Sequence, residues 1–217
     1  GAAKDALLFS TDRGAPRGKL IAVDVAALTG ASSGSPNERE SVRDLLPEGD
    51  DVLRDANLVG QTILVRYLRD AASRVVAYEL DGRRRYELKF AEPATVEGLA
   101  GWIDDPETFF AMTTYTQPTV IYRLDVATGD CSTFHVPRVP TLPHDLEARQ
   151  VTFSSRDGTR VPMTILARQG IRQDGFRPTL LYGYGGFNMC LTPYFSVTNV
   201  VWLETVSYTH LTLPTKA

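Results

Sequence analysis

The first two thirds of the chain is built from short runs of apolar and β-branched residues at Ala6–Ser10, Leu20–Val25, Thr62–Leu68, Val75–Leu80, Thr108–Tyr115 and Val120–Leu124, with polar or glycine-bearing turns between them. Runs of this length and composition, bounded by turn residues, predict strands. Nothing longer than about two turns keeps a clean helical period. The segment Asn37–Leu46 reads as a short helix that Pro47 ends, because proline has no N–H and clashes with the preceding turn.

A weak repeat runs through these strands. Leu20-Ile21-Ala22-Val23-Asp24 leads to a turn ending Thr29-Gly30. Val75–Asp81 leads at once to Gly82, and Val120–Asp125 to a turn ending Thr128-Gly129. The matching aspartates, Asp24, Asp81 and Asp125, lie 57 and then 44 residues apart. Repeats of about 40–50 residues with several strands each are the sequence signature of a β-propeller. The longer first interval holds the Ser- and Gly-rich stretch Ala31–Asn37 as a loop insertion. Two or three blades do not make a closed propeller, so further blades are expected upstream of Gly1.

The texture changes near Pro137–Asp145, where Pro137, Pro140 and Pro143 suit an extended connection between domains. Beyond it, Val151–Ser154 and Val161–Ala167 flank Arg156-Asp157-Gly158-Thr159, and Asp-Gly between two such runs is a hairpin signal. Pro178–Tyr182 then reads as a buried apolar strand running into Gly183-Tyr184-Gly185-Gly186-Phe187.

Composition narrows the function classes. The 217 residues carry a net charge of -3, with 43% hydrophobic and 23% charged residues, an ordinary globular balance. No apolar run approaches the roughly 18 residues of a membrane span. Arg83-Arg84-Arg85 is the only basic run and reads as a solvated turn, so the chain has no electrostatic footprint for nucleic acid. Cys131 and Cys190 form no CxxC, and His135 and His144 match no metal-ligand spacing; no metal is expected, and the histidines read as structural or exposed. The compartment is not fixed by the sequence, although two free thiols lean towards a reducing one, the cytoplasm. The first residue is Gly1 and methionine first occurs at Met112, so the chain reads as a fragment, and the lack of a signal peptide carries no weight.

Two segments bear on chemistry. Gly30-Ala31-Ser32-Ser33-Gly34 matches G-x-S-x-G, but a nucleophile elbow needs a strand turning sharply into a helix, with its oxyanion loop earlier in the chain. Here Pro36 and a charged run follow, so Ser32 is set aside as a nucleophile. The Gly183–Phe187 turn is better placed. Glycines after a strand let the backbone approach a reacting carbonyl, as in the oxyanion loop of α/β-hydrolases. It fails as a dinucleotide loop because Asn188 replaces the last glycine of G-x-G-x-x-G, and Pro193 follows shortly. Spacing alone leaves a functional loop and a tight structural turn both open.

The runs Ser154–Met163 and Leu181-Tyr182-Gly183-Tyr184-Gly185-Gly186-Phe187-Asn188 closely resemble the prolyl oligopeptidase family of serine peptidases, as do Thr11–Asp24 and Gln117–Asp125. The resemblance spans about Ala6–Leu203. The hairpin is shared across the wider peptidase clan, whereas Gly-Tyr-Gly-Gly-Phe is closer to the prolyl-cleaving branch. It implies a seven-bladed propeller joined to an α/β-hydrolase domain with a Ser-Asp-His triad. On this chain, residues 1–143 would be C-terminal blades and 144–204 the opening of the hydrolase domain. Tyr184 is then identified as a catalytic donor to the oxyanion, and Phe187 as a wall of the pocket for the substrate proline ring; the alternative for each is a packed core aromatic. The family's nucleophile, acid and base lie downstream of the position of Tyr184, and this chain stops short of them.

The implied activity is therefore that of a parent serine endopeptidase acting on short peptides after proline, monomeric, with no metal or organic cofactor, while the fragment itself is inactive. Two alternatives stay open: a related oligopeptidase of different specificity, or a propeller used as a binding module on a catalytically dead hydrolase domain. Residues 205–217 break the resemblance. Thr205–Ala217, including His210, resembles a translated sequencing adaptor and is set aside as a non-native tail. Amplification of this region from the source DNA is expected to yield different codons after Glu204; recovery of the same codons would make the tail native.

Overall fold

Three successive stretches of chain fold alike, each into four strands paired with their neighbours in sequence. The computed structural model describes residues 2–3, 6–28, 42–139, 145–172, 174–176, 178–187, 189–206 and 209–212. The first sheet takes β1 (Ala2–Ala3), β2 (Ala6–Thr11), β3 (Lys19–Asp24) and β4 (Val42–Leu46), with the one-turn helix α1 (Val25–Leu28) directly after β3. The second takes β5 (Val52–Val59), β6 (Thr62–Arg69), β7 (Ala72–Tyr78) and β8 (Arg84–Glu87). The third takes β9 (Thr95–Gly98), β10 (Glu107–Thr113), β11 (Val120–Asp125) and β12 (Cys131–His135). Four-stranded antiparallel sheets repeated along a chain are propeller blades.

The repeated aspartates now have a physical role. Each lies where the third strand of its blade turns towards the fourth, and each caps that turn. Asp24 Oδ1 accepts from Ala26 N at 2.9 Å, Asp81 Oδ1 from Arg83 N at 3.0 Å, and Asp125 Oδ1 from Thr128 N at 2.9 Å. Asp-type side chains favour this local bond two or three residues ahead.

The blades stack face to face. Leu20, Ala22, Leu45 and Leu46 of the first pack on Ile63 and Val65 of the second. Val59, Leu64, Val75 and Ala77 of the second pack on Val96, Phe110 and Leu124 of the third. The middle blade is covered on both faces, which is why Thr62-Ile63-Leu64-Val65 is buried without alternation.

Several elements differ from the sequence expectation. Val42–Leu46 is a strand, not part of a helix, because Leu46 pairs with Leu20 across the sheet and both are buried in the first core. β5 went unread because a register shift between Leu53 and Asp55 breaks its alternation around the Asp55–Arg66 ion pair. β8, β9 and β12 are short and were also unread. The segment Gly30–Gly34 with Ser32, and His144, lie outside the described residues.

A fourth sheet follows of a different kind. β13 (Leu146–Ser154) and β14 (Arg160–Arg168) form the expected hairpin, closed by Ser155 N to Thr159 O at 2.8 Å with Gly158 at φ 83°. β15 (Leu181–Tyr182) and β16 (Thr209–Thr212) pair in parallel, joined through helix α2 (Val197–Val206), and the sheet order is β13-β14-β16-β15. This arrangement differs from the four-strand meander of the three blades. Ser196 caps α2, its Oγ accepting from Asn199 N at 3.4 Å. Sequence patterning missed α2 because Val197, Val200, Val201 and Leu203 place apolar side chains on several sides of it. β15 is only 2 residues long and exposed, Leu181 at 67%, where a longer buried strand was expected.

The middle blade is also laced by ions along one edge. Buried Asp51, ahead of β5, accepts from Arg69 Nε at 2.7 Å and Arg74 Nη1 at 3.0 Å. Arg74 on β7 also donates to Glu87 on β8, Nη2 to Oε2 at 2.9 Å, and Arg84 and Lys89 pair with the same carboxylate. The basic run is likewise paired: Arg83 with Asp81 at 2.7 Å and Arg85 with Glu79 at 3.2 Å. The hydrogen bond from Arg74 holds the Glu87 carboxyl below the usual range, against the opposing effect of burial. A carboxylate with a depressed folded pKa stabilises above its unfolded pKa, and that stability is lost as pH falls through the folded value. Glu87→Gln is therefore expected to destabilise by about 1–2 kcal/mol at neutral pH, with the gap to wild type closing as pH falls below about 4. Urea unfolding across that range checks this; a pH-independent gap would mean that the carboxylate charge contributes nothing.

Candidate functional site

The glycine-rich loop leaves β15 at Tyr182 and turns back on itself. Met189 N donates to Gly186 O at 3.1 Å, closing a turn over Phe187. Phe187 takes φ 56°, a left-handed conformation that costs a bulky residue of order 1–3 kcal/mol and collects at functional positions. Its side chain is 93% exposed. The Tyr184 ring lies back over Gly186: a Cβ there would come 3.3 Å from the Tyr184 hydroxyl. Glycine at 186 thus makes room for the phenol. Tyr184 is 37% exposed, and among the described residues its hydroxyl has no hydrogen-bond partner. Neither aromatic is packed in a core, and the phenol O–H is available as a donor.

Beyond the loop the chain crosses the edge of the third blade. Thr95 Oγ1 donates to Pro193 O at 2.6 Å, and Phe195 N donates to Thr113 Oγ1 at 3.2 Å. From the second blade, Asp70 O in the β6–β7 turn accepts from Gln150 Nε2 of β13 at 2.6 Å. Tyr115, in the β10–β11 turn, is 3% exposed and inserts among Leu146, Leu166, Val200 and Leu203. Burial pushes its phenol pKa up, although the Thr164 side chain beside it works the other way. The turn is braced from behind, with Glu92 Oε1 accepting from Thr114 Oγ1 at 2.7 Å and Thr116 Oγ1 at 2.6 Å.

Sequence reasoning did not pick out Thr95, Thr113 or Tyr115. The signal was a tyrosine alone among the polar turn residues Thr113-Thr114-Tyr115-Thr116-Gln117, which has no reason to be there unless something covers it. His135 is exposed on β12, and Cys131 and Cys190 are exposed free thiols, Cys190 three residues beyond Phe187. Among the described residues no group of three or more His, Cys, Asp or Glu is placed to hold a metal, and no helix is long and apolar enough to cross a membrane.

Residues 2–137 match the model of the prolyl oligopeptidase N-terminal β-propeller domain. The chain belongs to the prolyl oligopeptidase family. It is 31% identical over 200 residues to the prolyl endopeptidase of Elizabethkingia miricola, covering 92% of this chain and 27% of that protein. It is 30% identical over 203 residues to prolyl oligopeptidase A of Galerina marginata. A solved structure from a study of two prolyl endopeptidases superposes with TM-score 0.84 at 32% identity, over 97% of this chain and 30% of its own. Prolyl oligopeptidase B of Galerina marginata, solved with a bound 35mer substrate, shares the fold with TM-score 0.82 at 24% identity. The chain thus spans 27% of the length of the first of these relatives, and the superposition with the solved endopeptidase runs past the propeller match into the fourth sheet.

Within this prolyl oligopeptidase segment, no hydrogen bond joins the His135 ring to a serine or a carboxylate among the described residues, and an oxyanion donor alone supplies no nucleophile. A fluorophosphonate probe is expected to leave the chain unlabelled. Modification of any serine, Ser32 included, would establish a nucleophile that this geometry lacks.

Proposed function

We propose that the chain is the interior of a serine endopeptidase that hydrolyses short peptides on the carboxyl side of proline, carrying the last propeller blades and the start of the hydrolase domain. In this reading residues 1–143 are blades and 144–204 open the hydrolase. The end of the meander sheets at His135, and the long β13–β14 hairpin that opens a separate sheet at Leu146, support that division. Residues 205–217 remain the proposed non-native tail. That Thr209–Thr212 lies between β14 and β15 fits this reading, since an open strand position pairs through backbone groups with little regard to sequence.

The observation that carries the proposal is the loop itself: a strained Phe187 presented outward, beside a Tyr184 hydroxyl free to donate. In acyl transfer, negative charge builds on the carbonyl oxygen as serine attacks. A donor held in place before that moment favours the transition state over the ground state. Tyr184 supplies one donor, and a flat apolar pyrrolidine matches the exposed ring of Phe187. The serine, aspartate and histidine of the triad belong to the part of the peptidase beyond this chain.

In the full-length peptidase, Tyr184→Phe removes the hydroxyl and keeps the ring. One oxyanion donor is worth about 3–4 kcal/mol. Because a backbone donor remains, the expected loss in kcat on proline peptides is at least about tenfold, with little change in the thermal midpoint. An unchanged kcat would reduce Tyr184 to packing. A full-length protein that fluorophosphonate fails to label would instead be a propeller on a dead hydrolase.

A further inference from the structure

The segment that follows the glycine-rich loop does not reach α2 by packing alone. Between Cys190 and Tyr194 it spans a cavity of about 280 Å³ against the third blade, with Thr95 and Thr113 in the wall. Two hydrogen bonds cross that gap, and both end on threonine hydroxyls.

Thr95 on β9 and Thr113 on β10 are directly opposite each other in the antiparallel register. Thr95 Oγ1 donates to Pro193 O at 2.6 Å, while Thr113 Oγ1 accepts from Phe195 N at 3.2 Å. The two backbone groups flank Tyr194, so the pair engages the chain much as a neighbouring strand would, with one donor and one acceptor. Thr113 is oriented for its part. Its hydroxyl lies 3.2 Å from Gln117 O, so its hydrogen is spent there and a lone pair is left for Phe195. Immediately beyond, Phe195 packs against the cluster that holds Tyr115, and Ser196 caps α2.

We propose that the Thr95–Thr113 pair is a clamp through which the last blade positions the glycine-rich loop. The propeller then sets the placement of the Tyr184 hydroxyl as well as enclosing the site. The downstream end of the loop is fixed by the turn at Gly186–Met189 leading to Pro193. Releasing that end frees the loop to sample positions in which the donor misses the oxyanion. Thr95 and Thr113 are positioning residues. The proposal rests on the donor reading of Tyr184 for its kinetic half only.

The test uses the full-length peptidase with Thr113→Val, Thr95→Val and the conservative Thr113→Ser. Hydrogen exchange at the Phe195 amide reads the clamp directly, and steady-state kinetics on a proline peptide reads its consequence. Thr113→Val is expected to speed Phe195 exchange by about tenfold and to lower kcat by about three- to tenfold, with KM changed less than about twofold; Thr113→Ser restores both. In a Tyr184→Phe background the kinetic effect of Thr113→Val should vanish while the exchange effect persists, because the two residues act in series. Unchanged exchange in Thr113→Val overturns the clamp. A kcat loss of the same size in both backgrounds overturns its action through Tyr184. If Tyr184→Phe alone leaves kcat intact, the donor reading fails, and Phe195 exchange still decides the clamp on its own.

Discussion

A four-stranded antiparallel sheet with apolar residues on both faces has no stable existence alone, and that constraint organises the propeller part of this chain. The middle blade shows it most directly. Ile63 and Val65 of β6 face one neighbour, and Leu64 faces the other. Each blade thereby completes the core of the next, and burial in one cannot be gained without the other. At one edge the Asp51, Arg69, Arg74 and Glu87 network joins the ends of the strands of one blade.

Antiparallel strands put their connections at two opposite edges, and the two edges have different duties here. At one, blade meets blade: Gly60 N donates to Trp102 O at 3.1 Å, and Arg85 Nη2 to Ala127 O at 3.0 Å. Gly60, at φ 53°, has to be glycine, since a Cβ would fall 2.4 Å from Asp105 O. At the other edge the blades meet the fourth sheet and the segment leading into α2, through Asp70, Thr95, Thr113 and Tyr115. Tyr115 is an aromatic from a turn buried in the core of another sheet. Burying such a ring is worth about 1.5–3 kcal/mol, enough to bias how firmly the two parts stay together.

The sequence made the blade repeat legible because the device that repeats is local. An aspartate that caps its own turn needs no tertiary partner, so Asp24, Asp81 and Asp125 stand out in the chain as they do in the fold. The β13–β14 hairpin was legible for the same reason, through Gly158. What stayed hidden depended on distant partners. Val42–Leu46 becomes a strand only because β3 offers Leu20, and β5 hides its period behind a bulge. α2 has no apolar stripe to betray it. At the site, Tyr184 and Phe187 were found through a family resemblance carried by the glycines around them. Thr95 and Thr113 were not found, because an ordinary threonine gains its meaning from a backbone group 98 and 82 residues away.

The strain at Phe187 ties these levels together. A bulky residue stays at φ 56° only where its surroundings leave it no better choice. The loop's own contacts do not provide that: Phe187 is exposed, and the turn around it is closed by one hydrogen bond at 3.1 Å. The restraint has to come from the flanks. Downstream, Pro193 and Phe195 are held by the blade. With that end fixed, the chain turns back within a few residues, and the left-handed conformation falls on Phe187 and on none of Gly183, Gly185 and Gly186. On this argument the conformation that presents the ring is imposed by the propeller as much as by the loop, and a peptidase that separated the two parts would relax it.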